Sequence, residues 1–307
     1  MKADSLLVDG FGSMVAAAAG PASSGQTGSV TVAGGESIAI SNSGRLSLQN
    51  GATVDVPKAI EPSVLSVTAP SISLSGASVT TRSSGNVAAS NIQVNFAERL
   101  SLDSGSISTS ANAGNGGAIR IQGGNLMVLD NSQITTSVLG ASGNGGDIGV
   151  KAEVLVMNTG FIQANTAAQA ASGGNVLIDV ASLVPSGNTL TLGSRSAHTF
   201  SPGVFGYNVI EAAAPDGISG NIQVSSPALD LAGALHGLST ATIDFGALGR
   251  DPCRLGAGSS LTPLGRGGLP ATASGLIRPE PDLPAARTGA GEFPHGAQLA
   301  QTGRQCD

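Results

Sequence analysis

Two aspartates at equivalent positions are the best candidates in this sequence for a chemical site. Asp103, Asp130 and Asn158 follow one another at nearly equal intervals, which match the repeat described below. Stacked on successive turns of a repeating structure, such side chains would lie about 5 Å apart, and their oxygen atoms could hold a cation such as Ca²⁺. The alternative is a solvated ladder of turn residues, which we favour because one member carries no charge. The sequence therefore predicts no metal site and no cofactor.

A carbohydrate-active enzyme would need its ionisable side chains in a tighter group. Hydrolases of glycosidic bonds place two carboxyl groups around the bond, and acid–base catalysis needs its groups within hydrogen-bonding reach of the substrate. The candidate residues are instead dispersed along the chain: Glu98, Asp103, Asp130, Glu153, Asp179, His198, His236 and His295. We therefore expect no catalytic residue, and we keep a polysaccharide lyase or hydrolase as the alternative.

An aromatic group marks one irregular segment. Phe200, Phe205 and Tyr207 are three of the eight aromatic residues, and all three fall near 193–217, where the repeat described below is interrupted. Loops that project from a regular scaffold often carry recognition residues, and aromatic rings suit contact with sugars or proteins. These three residues are the candidate ligand contacts. The alternative is that the segment packs its rings against the repeating body.

The two cysteines, Cys253 and Cys306, carry neither a disulfide framework nor metal-ligand spacing. They could pair outside the cell and close a loop, or Cys253 could be a small buried residue. The sequence leaves both readings open.

Charge and hydrophobicity exclude several classes of partner. The net charge is −6, and the 14 Lys and Arg residues are dispersed, so no basic face for nucleic acid or an anionic membrane is expected. No apolar run approaches the roughly 20 residues of a transmembrane helix. The first residues also lack the basic and apolar blocks of a signal peptide.

The elements that would position these residues repeat with a period near 28. Apolar residues follow the glycine-rich turns at Ile92, Ile119, Ile148 and Val176, whose numbers differ by 27, 29 and 28 in turn. Apolar residues close the second strand of each unit at Val79, Ile107, Ile134 and Ile162, whose numbers differ by 28, 27 and 28 in turn. Because two landmarks share one period, we expect Ile107, Ile134 and Ile162 to stack as an inward ladder.

Small residues punctuate each unit. The turns contain asparagines at Asn115, Asn144 and Asn175, and the chain has 45 glycines. Asparagine tolerates a left-handed backbone, so these three residues are predicted to stack amide on amide as a second ladder. Glycine density and the alternation of apolar and polar residues both disfavour helix.

The pattern predicts an all-β protein, a right-handed parallel β-helix (solenoid) with a disordered Gly/Pro-rich C-terminal tail. Residues 1–27 would form a partial coil or cap. Residues 28–246 would form the β-helix, with an insertion near 193–217. Residues 247–307 lack strand alternation and would be a flexible tail.

The repeats and the segment after them resemble filamentous-haemagglutinin-like exoproteins, which are exported by two-partner secretion. The resemblance covers about 60–270 and rests on units of the form GNGGxIxI, LxLxxxSxI and TxxxGxxGNGG. It also rests on a closing motif made of Cys253-Arg254, then 258–261 (GSSL) and 265–270 (GRGGLP).

The resemblance implies a non-enzymatic adhesin that is secreted or associated with the outer membrane. Its partners would be a surface glycan or protein of a host or neighbouring cell, with an outer-membrane transporter for the full-length protein. Such proteins carry a signal peptide and an N-terminal secretion domain, and neither is found here. The resemblance therefore predicts that this chain is a fragment of a longer solenoid, extracellular or on the cell surface if that secretion region exists. A degenerate N-terminal cap is the alternative.

Overall fold

The computed structural model describes residues 1–11, 14–169 and 171–226, with the backbone alone for Met14 and Val15. The chain divides into Met1–Leu231 and Ala232–Asp307, and the second unit lies wholly outside the described residues. The predictions for the tail, the closing motif, Cys253, Cys306, His236 and His295 therefore fall outside that part of the chain.

The described chain is built of β-strands and contains no α-helix. The strands are β1 (Lys2–Asp9), β2 (Met14–Ala19), β3 (Val30–Ser41), β4 (Arg45–Asn50), β5 (Val64–Ser75), β6 (Ser78–Ser83), β7 (Asn91–Asp103), β8 (Ser106–Ala111), β9 (Ile119–Gly123), β10 (Leu126–Val138), β11 (Ile148–Thr166), β12 (Val176–Pro185), β13 (Thr191–Leu192), β14 (Val209–Glu211) and β15 (Ile222–Ser225). Two 3₁₀ helices, Pro57–Ala59 and Ser186–Asn188, lie between strands. Among the described residues, no helix has the length and apolar character needed to cross a membrane.

Every described strand pairs in parallel, and all of them except β13 belong to coils that stack on a neighbouring coil. One column runs β1, β3, β5, β7, β9, β11, β12 and β15, and the other runs β2, β4, β6, β8, β10, β11, β14 and β13. Parallel pairing of sequential coils defines a parallel β-helix, so this part of the fold prediction is confirmed. The right-handed winding stays a prediction.

The inward ladder lies where the period places it. Ile107 pairs with Ile134, and Ile134 pairs with Ile162. All three side chains are fully buried, and Ile210 continues the ladder above them. Burial of each such side chain contributes about 1.5–3 kcal/mol, so this column is a main source of stability.

A left-handed backbone occurs at a different turn from the one predicted. Asn115, Asn144 and Asn175 do not have positive φ. The turn within each coil has it instead, with a φ of 53° at Ser104 and 52° at Thr159. Ser104 lies between β7 and β8, and Thr159 lies inside the longer strand β11. At both places a single left-handed residue changes the direction of the chain.

The insertion occupies earlier residues than the sequence indicated. The coil continues through β12, departs at Ser186 and is resumed by β14, which pairs with Phe161–Gln163 of β11. The extra residues are therefore 186–208 and not 193–217. The prediction was displaced because β14 is too short to show strand alternation.

Within the insertion, β13 lies on β14 in parallel. Thr191 N donates to Asn208 O at 2.9 Å, and Gly193 N donates to Ile210 O at 2.9 Å. The edge of β14 that would receive the following coil is therefore already covered by residues of the insertion.

Candidate functional site

The insertion is the most elaborate feature of the described chain, and aromatic rings attach it to the β-helix. Phe161, at an outward position of β11, is fully buried beneath it. The ring of Phe200 meets Phe161 edge to face at 5.2 Å between centroids, and that of Tyr207 does so at 4.9 Å. Such pairs contribute about 0.5–1.5 kcal/mol beyond the burial itself. Phe200 and Tyr207 therefore follow the alternative reading, in which the rings pack on the repeating body.

Phe205 remains a candidate ligand contact. Its side chain is 76 % exposed, and the neighbouring Val204 is 47 % exposed. Polar contacts hold the backbone on either side of it. Before it, Thr159 Oγ1 donates to Val204 O at 2.6 Å, and after it Gly206 N donates to Ser186 Oγ at 3.2 Å. The insertion thus presents an apolar tip at a fixed place on the β-helix.

A buried carboxylate lies under the same insertion. Glu211 is fully buried, and its Oε1 accepts hydrogen bonds from Gln163 Nε2 at 2.6 Å, Asn165 Nδ2 at 3.0 Å and the backbone N–H of His198 at 2.9 Å. The second oxygen, Oε2, lies 2.6 Å from His198 Nδ1. A carboxylate is tolerated in such surroundings because its lone pairs are filled by donors.

The short contact assigns the proton of the imidazole. A bare Nδ1 facing a carboxylate oxygen would bring two lone pairs together, so Nδ1 carries the proton and donates it to Glu211 Oε2. This arrangement orients the His198 ring, and an imidazole held in this way can serve as a base or a ligand through Nε2. Because Glu211 lies on β14 and accepts from Gln163 and Asn165 of β11, its contact with His198 joins the insertion to both strands.

Sequence reasoning treated His198 as solitary and did not identify Glu211. The two residues are 13 positions apart in the segment without a period, so spacing gives no reason to join them. A signal was present in Gln163, Asn165 and Glu211, which are polar residues at outward positions next to an insertion long enough to cover them.

The two aspartates do stack on successive coils. Asp103 pairs with Asp130, and Asp130 pairs with Asn158, whose Nδ2 donates to Asp130 Oδ1 at 2.7 Å. Asp103 and Asp130 also accept hydrogen bonds from the turn residues that follow them, at 3.1 and 3.2 Å. The described residues contain no group of three acidic, histidine or cysteine side chains suited to a metal ion.

The predicted asparagine ladder divides into two rows. In one row, Asn144 N donates to Asn115 Oδ1 at 3.0 Å, and Ser172 N donates to Asn144 Oδ1 at 2.9 Å. Asn175 belongs to the other row, in which its N–H donates to Asp147 Oδ1 at 2.8 Å. The expectation of a single ladder was therefore wrong for Asn175. The side chains stack by amide-to-backbone hydrogen bonds, each satisfying an N–H of the next coil.

The remaining acidic residues occupy separate places. Glu98 accepts a hydrogen bond from Ser71 of the preceding coil at 3.2 Å, and Asp179 forms an ion pair with Lys151 at 3.7 Å. A groove of about 720 Å³ lies elsewhere, between the first 3₁₀ helix and the turns that hold Asn115 and Asn144. No two carboxylates line it, so it does not present the pair that glycosidic hydrolysis requires.

Comparisons of this chain with protein-family models, with curated proteins and with solved structures gave no match.

Proposed function

We propose that this chain is the shaft and contact surface of a secreted or surface-associated adhesin of the filamentous-haemagglutinin type. The observation that carries the proposal is the parallel stacking of successive coils, from β1 (Lys2–Asp9) to β15 (Ile222–Ser225). Stacking of this kind gives a stiff scaffold that sets exposed groups at fixed intervals along its axis. The turns that carry the sequence resemblance, GNGG and SGNGGDI, join the coils of this scaffold.

The outward faces support a role in contact. The column Thr80, Ser108 and Thr135 is in register across three coils and consists of small, half-exposed, uncharged polar side chains. A surface without strong charge suits contact with neutral or mixed surfaces. The tip of the insertion adds one exposed ring, that of Phe205. The proposal gives no residue a catalytic role and locates the protein outside the cell, exported through an outer-membrane transporter.

The experiment is an adhesion assay with purified full-length chain on beads, offered to erythrocytes and epithelial cells. We expect attachment, and we expect Phe205→Ser to reduce it several-fold. Leu139→Ser is the matched control, because Leu139 is also an exposed apolar residue, at 62 %, in a turn between coils. Equal loss in both variants would point to nonspecific hydrophobic attachment.

The polysaccharide lyase or hydrolase is tested with the same protein. Incubation with pectin and alginate should release neither unsaturated uronides nor reducing ends above background. Turnover that is lost in Asp103→Ala or Asp130→Ala, with no attachment to cells, would replace the adhesin with the enzyme.

A further inference from the structure

One outward column of the β-helix is interrupted at its centre. The residues Gln93, Arg120, Gly149, Leu177 and Gln223 stand in register on successive coils. Four of the five carry long side chains that cover the sheet. Gly149 carries none, so the backbone of β11 is open to solvent between Arg120 and Leu177.

The two usual structural reasons for a strand glycine do not apply to Gly149. Glycine inside a strand weakens it and marks a special conformation, or a place where a ligand or another backbone comes close. Gly149 has no left-handed φ, and a Cβ atom built there would meet no heavy atom within 4 Å. The other glycines in the described strands would each meet a neighbour, at 3.3 Å or less: Gly34, Gly35, Gly123 and Gly160. The surface of β11 at Gly149 is therefore free for a ligand to approach closely.

A cavity of about 380 Å³ surrounds this position. Its size falls at the lower end of the range for small-ligand sites. Arg120 forms one wall and Leu177, which is 48 % exposed, forms the opposite wall. These two residues are two coils apart, so their backbones are separated by about 10 Å. A six-membered ring standing on Gly149 would fill that gap.

The charges around the cavity leave one cation available. Lys151 Nζ lies 3.7 Å from Asp179 Oδ2, so their charges are paired. Asp147 Oδ1 accepts from Asn175 N at 2.8 Å and from Asn175 Nδ2 at 3.1 Å. Arg120 is exposed and has no ion-pair partner in the part of the chain that the structure describes. A guanidinium binds a carboxylate through two parallel hydrogen bonds.

The space over Gly149 between Arg120 and Leu177 is a notch in the outward column. We propose that this notch binds the ring of a carboxylated sugar, such as a hexuronic acid unit of an acidic glycan. The carboxylate pairs with Arg120, the C–H face of the ring lies on Leu177, and the hydroxyls meet Asp147 Oδ2 and the amide of Asn175. The inference rests on the proposed role as a contact surface and names a ligand class for it. It places that ligand on the outward column that contains Gln93 and Arg120, away from the insertion.

The test is calorimetry and saturation-transfer NMR on the full chain, with trigalacturonate as the probe and galactotriose as its neutral match. We expect binding of the acidic trimer and none of the neutral one. Arg120→Gln should weaken binding roughly tenfold or more, as the loss of charge-assisted hydrogen bonds does. Gly149→Gln should abolish binding by filling the notch, with no fall in Tm, because the open space accepts the side chain.

Ser66→Gln is the matched control, since Ser66 stands in the same outward column below Gln93. It should leave binding unchanged. Unaltered affinity in Gly149→Gln would overturn the site, as would equal binding of both trimers. Cells that bind the protein while trigalacturonate does not would remove this inference and leave the adhesin in place. Binding of trigalacturonate without attachment to any cell would do the reverse.

Discussion

Gly146 lies directly against the carbonyl group of Gly117 on the preceding coil, and a Cβ atom on Gly146 would come within 2.2 Å of the Gly117 oxygen. The contact repeats along the β-helix. A Cβ atom on Gly174 would come within 2.0 Å of Gly146 O, and one on Gly220 would come within 2.1 Å of Gly174 O. None of these glycines has a positive φ. Close packing of one turn on the next is therefore what requires glycine here.

Gly146→Ala should destabilise the β-helix. The added methyl group must displace backbone, because its nearest neighbour is a carbonyl, and overpacking of this kind costs about 1–3 kcal/mol. Chemical denaturation followed by circular dichroism measures the change. Gly149→Ala is the control from the same strand region, where the space is open, and it should be neutral or stabilising. Equal effects of the two substitutions would show that the turns do not pack as closely as described.

The buried threonines tie the turns to the sheets. Thr136 Oγ1 donates to Gly146 O at 2.6 Å, and one coil earlier Thr109 Oγ1 donates to Gly117 O at 2.6 Å. Thr136→Val keeps the shape and leaves the carbonyl unpaired, which should lower the unfolding free energy by about 1–3 kcal/mol. Thr135→Val, at the adjacent half-exposed position, should change it little. An unchanged unfolding free energy in Thr136→Val would mean that water replaces the lost donor.

Asp9 gives a pH-dependent prediction. The Ser41 hydroxyl and then the Asn42 amide donate to its carboxylate and hold the pKa below the ordinary value of 3.8. The folded state is therefore favoured by ionised Asp9 above pH 3.8, and this contribution is lost as pH falls through the lowered pKa.

Ser41→Ala should move the pKa of Asp9 back towards its ordinary value, and Asn42→Ala should move it less. A titration followed by ¹³C NMR of labelled aspartate carboxyl groups measures both. The idea fails if the Asp9 resonance titrates identically in all three proteins.

The sequence predicts the coils well because each one repeats the same physical requirement. Ile107, Ile134 and Ile162 must face inward at one position, so both period and alternation are visible without coordinates. Asn175 was misplaced because its turn reads SGGN where the preceding turn reads SGNGGD, so the amide shifts to the neighbouring row.

The contacts of the insertion do not repeat, so the sequence pattern does not predict them. The link between Glu211 and His198 depends on how one excursion folds back over β11. The notch at Gly149 was also hidden, because a missing side chain on a solvent face leaves the inward pattern intact.

Glu211→Leu should detach the insertion while the preceding coils persist. The substitution removes the acceptor for Gln163, Asn165 and His198, and loss of one partner from a buried, charged network costs about 3–5 kcal/mol. Because a solenoid is stabilised by nearest-neighbour contacts, the loss should stay local. Hydrogen exchange read by mass spectrometry should show faster exchange over 186–211 and unchanged protection over 92–123.

Glu211→Gln separates shape from charge. Its amide oxygen still accepts from Gln163 and Asn165, but its NH₂ faces Nδ1 of His198, which must then present a lone pair. We expect an intermediate loss of protection, together with a change of His198 tautomer visible in ¹⁵N NMR of the imidazole. Glu153→Gln, an exposed acid on β11, is the control and should alter neither readout. Faster exchange throughout the β-helix in Glu211→Leu would contradict the local anchor, since it would mean that Glu211 supports the whole stack.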